Sequence, residues 1–150
     1  MCLSFFIILC PSCVTHCSNL CQVGWAPHRD RPDADATSFR EDGAPKYTTI
    51  WVALTEATPK NSCLSVVPKQ IDPGYMAGDQ GRNPLTAIFH KNGNFQEIRA
   101  LPASAGSLIC FSHRLLHWGT APDPHANAPP RVALSFAAAS DDFERSSSPI

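Results

Sequence analysis

From Tyr47 to Phe136 the chain is cut into short apolar runs by turns rich in Pro, Gly, Asn and Asp, and that punctuation decides the fold class. Tyr47-Thr48-Thr49-Ile50-Trp51-Val52-Ala53-Leu54 is dense in β-branched and aromatic residues, which pack well on a pleated surface. Thr55 to Asn61 turns the chain, and Cys63-Leu64-Ser65-Val66-Val67 predicts a second strand ending at Pro68, which lacks the N–H a ladder needs. Residues 72 to 94 carry Gly, Pro, Asn and Asp throughout and predict a long irregular loop. Phe95 to Leu101 alternates weakly and predicts a strand; Ala105-Gly106 then turns into the buried run Ser107-Leu108-Ile109-Cys110-Phe111. Pro122 to Pro130 is a turn-rich connection, and Arg131-Val132-Ala133-Leu134-Ser135-Phe136 closes the pattern with alternating apolar and polar residues. No window sustains apolar residues at i, i+3, i+4 and i+7 beyond a couple of turns, which excludes long amphipathic helices. Short strands between such turns predict a mainly β sandwich or barrel.

A chain of 150 residues holds one domain, and 43% hydrophobic with 17% charged residues describes a soluble globular protein. The net charge of −1, without any Lys/Arg cluster, gives no basis for a nucleic-acid or membrane partner. Cys2, Cys10, Cys13, Cys17 and Cys21 crowd the opening segment, while Cys63 and Cys110 sit in apolar runs as small hydrophobes. An odd total of 7 spread this way does not form a disulfide framework. Residues 1–22 are read as a Cys-rich leader outside the domain, residues 23–140 as the domain, and residues 141–150, with Ser146-Ser147-Ser148, as a disordered tail. Leu3 to Leu9 is too short to span a bilayer, and no Lys or Arg precedes Arg29, so the segment is a weak secretory signal and a cytoplasmic location is favoured. Cys10, Cys13, Cys17 and Cys21, with His16, invite a thiolate-metal reading, but they lack the separated ligand doublets of a structural zinc site.

His28-Arg29-Asp30, with His117 and Arg131 far downstream, is the constellation that carries chemistry. Two imidazoles and one carboxylate on one face of a metal leave the opposite face open, as in mononuclear non-haem iron sites. In an extended segment residues i and i+2 point to one side, so His28 and Asp30 can serve the same ion while Arg29 faces away. His113 and His117 both qualify as the distal ligand; on an extended strand they lie about 13 Å apart, so only one can reach. His117 is preferred because Gly119 follows it and Arg131 lies one connection later. An Arg at that place can hold a dicarboxylate cosubstrate by a bidentate ion pair. Asp33 and Asp35 are read as solvated, and His90, His113 and His125 as surface or pocket-rim residues. The run from Asp33 to Gly43 lacks the glycine and terminal glutamate of an EF-hand, and no nucleophile motif, Walker loop or dinucleotide fingerprint occurs.

From Trp25 to about Ala139 the chain resembles the phytanoyl-CoA dioxygenase family of Fe(II)- and 2-oxoglutarate-dependent oxygenases. The matching pieces are Gly24-Trp25-Ala26-Pro27-His28-Arg29-Asp30, Ile50-Trp51-Val52-Ala53-Leu54, Asn61-Ser62-Cys63-Leu64-Ser65-Val66-Val67-Pro68, Ala105 to Phe111 leading to His117, and Arg131 to Phe136. The resemblance implies a double-stranded β-helix (a cupin-like jelly roll), N-terminally incomplete here because family members have a substantial segment before the His-x-Asp motif. It implies Fe(II) on His28, Asp30 and His117, the distal carboxylate of 2-oxoglutarate on Arg131, and Trp51 lining the cosubstrate pocket. O₂ is then the oxidant and ascorbate a stimulant. A small organic molecule or acyl thioester is hydroxylated while 2-oxoglutarate becomes succinate and CO₂. Related halogenases replace the carboxylate ligand by a small residue, so Asp30 favours hydroxylation. The chain departs from the family at Pro68-Lys69-Gln70-Ile71, where Pro-Gly-Ser-His is common, and at Gly119, where a hydroxyl residue commonly assists the cosubstrate. The competing readings are a cupin-like protein that binds metal without turnover and a thiolate metal-binding protein centred on Cys10 to Cys21. Oligomeric state is not legible.

Overall fold

The structure is a computed structural model and describes residues 2–9, 26–30, 38–79, 83–92, 94–140 and 143. It is mainly β, and two antiparallel sheets face each other as a cupin-like jelly roll. The larger sheet contains β1 (Cys2–Leu9), β2 (Tyr47–Ala53), β5 (Leu108–Ser112) and β7 (Val132–Ala139), in the order β1-β7-β2-β5. The smaller contains β3 (Leu64–Val66), β4 (Arg99–Leu101) and β6 (His117–Gly119), in the order β4-β3-β6.

Strand β2 buries every second residue, Thr49, Trp51 and Ala53, as the two-residue period of a strand requires. Trp51, Ala53, Phe111 and Ala133 of the larger sheet meet Leu64, Ala57 and Cys63 from the smaller sheet and its approach, forming the core between the layers. A second core lies against β6, where Trp118 and Leu116 pack with Val67 and Ile88. Alternation along β6 therefore splits its residues: Trp118 serves the outer core, while the His117 ring turns toward Phe111, 4.6 Å away.

Most expected strands appear close to their predicted bounds, and four readings are corrected. The 72–94 region is not all loop. It contains α1 (Gly74–Ala77) and α2 (Pro84–Asn92), the latter because Leu85, Ile88 and Phe89 bring one apolar stripe against the Trp118 cluster. The strand expected from Phe95 starts only at Arg99, after a single 3₁₀ turn over Asn94–Glu97. Residues 113–116 form a turn instead of continuing an extended strand. Within the presumed leader, Cys2–Leu9 is a strand paired with β7 along its whole length, from Cys2 opposite Ala139 to Leu9 opposite Val132. Without it the β7 edge would present open N–H and C=O groups, and its Phe and Ile residues favour strand geometry. Cys10, Cys13, Cys17 and Cys21 lie outside the described residues, as does the tail except Phe143, whose ring stands 5.6 Å from Tyr47. Among the described residues no helix is long and apolar enough to cross a membrane.

Candidate metal centre

His28 and His117 are joined through their backbones. Each donates its N–H to the other's carbonyl at 3.0 Å, an isolated antiparallel bridge that extends the smaller sheet beyond β6. This pairing brings the two rings to 4.3 Å between centroids. Asp30, two residues after His28, reaches the same point: its Oδ1 lies 3.8 Å from Nε2 of His28 and 3.8 Å from Nε2 of His117. One ligand atom from each of the three residues falls within 4.8 Å of the others.

The second nitrogen of each ring fixes its tautomer. Nδ1 of His28 lies 2.8 Å from the Ala26 carbonyl, and Nδ1 of His117 lies 3.0 Å from the Leu115 carbonyl. A carbonyl only accepts, so both Nδ1 atoms carry a proton, which leaves the two Nε2 atoms, each 3.8 Å from Asp30 Oδ1, as the ring atoms able to coordinate. Burial pushes the His117 pKa down, and the neighbouring His28 adds to this; Asp30 and the Leu115 carbonyl oppose it, with the net shift downward. His117 is thereby held as the neutral imidazole that coordination needs. The hydroxyl of Thr49 donates to Oδ2 of Asp30, orienting the carboxylate. Thr49 carried no metal-site signal in the sequence beyond its place two residues before Trp51 on the inward face of β2. The donor set, two imidazole nitrogens and one carboxylate on one side of a common point, fits a mononuclear transition-metal ion.

Trp51 follows Thr49 on that inward face, and the Arg131 guanidinium stands 5.6 Å from its ring centre. Arg131 is 6% exposed, immediately ahead of β7. Hydrogen bonds fasten the segment on both sides. Asn61 Nδ2 donates to the Glu56 and Pro129 carbonyls, each at 2.9 Å, and Val132 N donates to Thr55 Oγ1 at 2.8 Å. The structure thus brings His28, Asp30 and His117 together and sets Trp51 and Arg131 beside one another further along the same interior.

His113 is not a rim residue. It is fully buried, its Nδ1 donating to the Tyr47 carbonyl at 2.9 Å and its Nε2 accepting from Ser38 Oγ at 2.9 Å. The turn after β5 separates it from His117, so the two histidines serve different sides of the fold. Arg29 faces away from the ligands, as an extended His-x-Asp requires, but enters a buried ion-pair network instead of solvent. Burial opposes its charge, yet hydrogen bonds and charges from Asp72 and Asp79 outweigh it and raise its pKa. His125 is exposed; Asp33 and Asp35 lie outside the described residues, and the His90 side chain is likewise not described.

A model of the Phytanoyl-CoA dioxygenase (PhyH) family matches residues 21–122. The chain belongs to the phytanoyl-CoA dioxygenase family. Solved structures share the fold at low identity. EvdMO1 matches at 23% identity and TM-score 0.52 over 78% of this chain and 23% of its own. AviO1 from Streptomyces viridochromogenes Tue57 matches at 18% identity and TM-score 0.57 over 80% and 45%. HygX from Streptomyces hygroscopicus, with nickel and 2-oxoglutarate bound, matches at 14% identity and TM-score 0.52 over 77% and 50%. The chain thus spans half or less of the length of these relatives. No curated protein sequence matches it.

Proposed function

We propose that this family member is an Fe(II)- and 2-oxoglutarate-dependent dioxygenase, with His28, Asp30 and His117 as iron ligands. The observation that carries the reading is the convergence of their three ligand atoms within 4.8 Å, both Nδ1 atoms being committed to backbone carbonyls. Family membership supports it, and so does the 2-oxoglutarate and nickel held by HygX, which shares the fold.

When bound, iron with O₂ and 2-oxoglutarate supplies the oxidation, giving succinate, CO₂ and a hydroxylated product. The chain's own residues set its geometry. The reciprocal His28–His117 backbone bridge sets the two imidazoles side by side, their Nδ1 bonds to the Ala26 and Leu115 carbonyls orient the rings, and Thr49 holds Asp30. Arg131 receives the distal carboxylate of the cosubstrate, and Trp51 forms the wall beneath it. The site opens on one side, since the side chains of His28 and Asp30 are 34% and 22% exposed against 8% for His117. Substrate approaches across that side. Its class is a small organic molecule or an acyl thioester, and hydroxylation is favoured over halogenation because a carboxylate occupies position 30.

The test is succinate release from 2-oxoglutarate with added Fe(II) and ascorbate, with Asp30→Ala and His117→Ala alongside. Turnover by the wild type and loss in both variants is expected. Equal background from all three overturns the proposal.

A further inference from the structure

His28 and His117 hold each other by two backbone hydrogen bonds, and two bonds define an axis about which the His28–Asp30 segment can still roll. Such a roll would carry Asp30 Oδ1 away from its place 3.8 Å from both Nε2 atoms. A third fixed point off that axis is needed, and Arg29 supplies it. Standing between the two ligands, it points to the other side of the extended segment. Its side chain is 1% exposed and bonded at every nitrogen: Nη1 and Nη2 to Asp72, Nε to Asp79, and Nη1 also to the Arg114 carbonyl at 2.6 Å.

The Arg114 carbonyl belongs to the turn that leads into His117, and the next carbonyl, of Leu115, orients the His117 ring. One guanidinium therefore spans both segments that carry ligands. Arg114 closes the frame by donating to the Gly74 and Tyr75 carbonyls, and Gly74 N donates to Asp72 Oδ1 at 3.0 Å. The packing leaves no slack. A Cβ on Gly74 would collide with Arg29 Nη2 and stand 2.7 Å from Asp79 Oδ1. Buried ion pairs add little stability over apolar packing of the same volume. What the bidentate pair adds is direction, since its parallel hydrogen bonds hold one orientation where apolar contacts tolerate several.

We propose that Arg29 is a positioning residue for the metal centre: anchored by Asp72, Asp79 and the Arg114 carbonyl, it sets the distance between the His28–Asp30 pair and His117, and with it metal affinity. The inference rests on the metal ligands of the proposed function and adds the residue that holds them in register. It also gives Gly74 a part in that affinity, because any side chain there displaces the guanidinium.

Binding of Mn(II) and Co(II) to the whole chain gives the test, with thermal midpoints measured alongside. Arg29→Lys keeps the charge but not the planar fork, and Gly74→Ala keeps every charged group while displacing that fork. Each is expected to raise the Mn(II) dissociation constant about tenfold or more and to shift the d–d absorption bands of bound Co(II). Asp79→Ala removes only the outermost bond, its side chain being 13% exposed, and stands in where the other two do not fold. It is expected to raise the Mn(II) constant about threefold or more. Ile88→Ala opens a cavity in the second core and lowers the midpoint without touching the network, so its Mn(II) constant is expected to stay within about twofold of the wild type. A wild-type constant and spectrum in the folded network variants overturns the inference alone, and so does an equal weakening in Ile88→Ala. Failure of the wild type to bind Mn(II) overturns the proposed function and this inference with it.

Discussion

Arg29 grips Asp72 through two parallel hydrogen bonds, Nη1 to Oδ2 at 2.6 Å and Nη2 to Oδ1 at 2.8 Å, with both side chains buried. The same guanidinium donates from Nε to Asp79 at 2.8 Å and from Nη1 to the Arg114 carbonyl at 2.6 Å. Arg114 in turn donates to the carbonyls of Gly74 and Tyr75, each at 2.9 Å. The residue between two candidate ligands is thus the fastening that ties their segment to α1 and to the turn before His117.

Removing one member of that pair strands a buried charge. Asp72→Asn and Arg29→Ala are each expected to cost about 3–5 kcal/mol in stability, read from denaturant midpoints. A loss below about 1 kcal/mol in both would show that the network is solvated in solution.

The two histidines that flank the β5–β6 turn, His113 at its start and His117 at the head of β6, separate by assay. His117→Ala is expected to abolish stoichiometric metal binding, measured by dialysis against Mn(II). His113→Ala is expected to retain it but to lose roughly 2–4 kcal/mol of stability, because it leaves a cavity and two unsatisfied groups. The opposite pattern would assign the metal to the wrong histidine.

Thr49→Val preserves shape and removes the hydrogen bond to Asp30. Partners that orient a metal ligand contribute about 10–100-fold in affinity, so a Mn(II) dissociation constant raised within that range is expected. An unchanged constant would mean that Asp30 is oriented without Thr49.

The lowered pKa of His117 carries a pH signature in the metal-free protein. As pH falls below about 6.5 the unfolded chain takes up this proton before the native state does. Stability is therefore full above that pH and declines between it and the lower native value. Thermal midpoints from pH 8 to 5 should show this slope in the wild type and a shallower one in His117→Asn.

The two cysteines outside the opening segment should differ in reactivity. Cys63 is 1% exposed and burial raises its pKa, although the Leu101 backbone and the Arg131 charge pull the other way; Cys110 is exposed. Iodoacetamide at pH 8, read by peptide mass spectrometry, is expected to label Cys110 in the native protein and Cys63 only after denaturation. Equal labelling of both would show that the core between the sheets opens readily.

By itself the sequence determined where most strands of the body lie along the chain and the chemistry of the ligand set. Both are local matters: β-branched runs and Pro/Gly turns act within a few residues, and His28 and Asp30 share a side because strands alternate. The sequence favoured His117 over His113 as the distal histidine, and the tertiary structure shows why. His113 and His117 offer the same imidazole, and the choice depends on a turn that hands one ring to Ser38 and Tyr47 and pairs the other's backbone with His28. Tertiary structure alone decided α2, whose short apolar stripe becomes a helix face only against Trp118, and the surroundings of Arg29, whose carboxylate partners lie 43 and 50 residues away. Burial of a charge needs partners that are distant in sequence, and no local pattern announced those of Arg29.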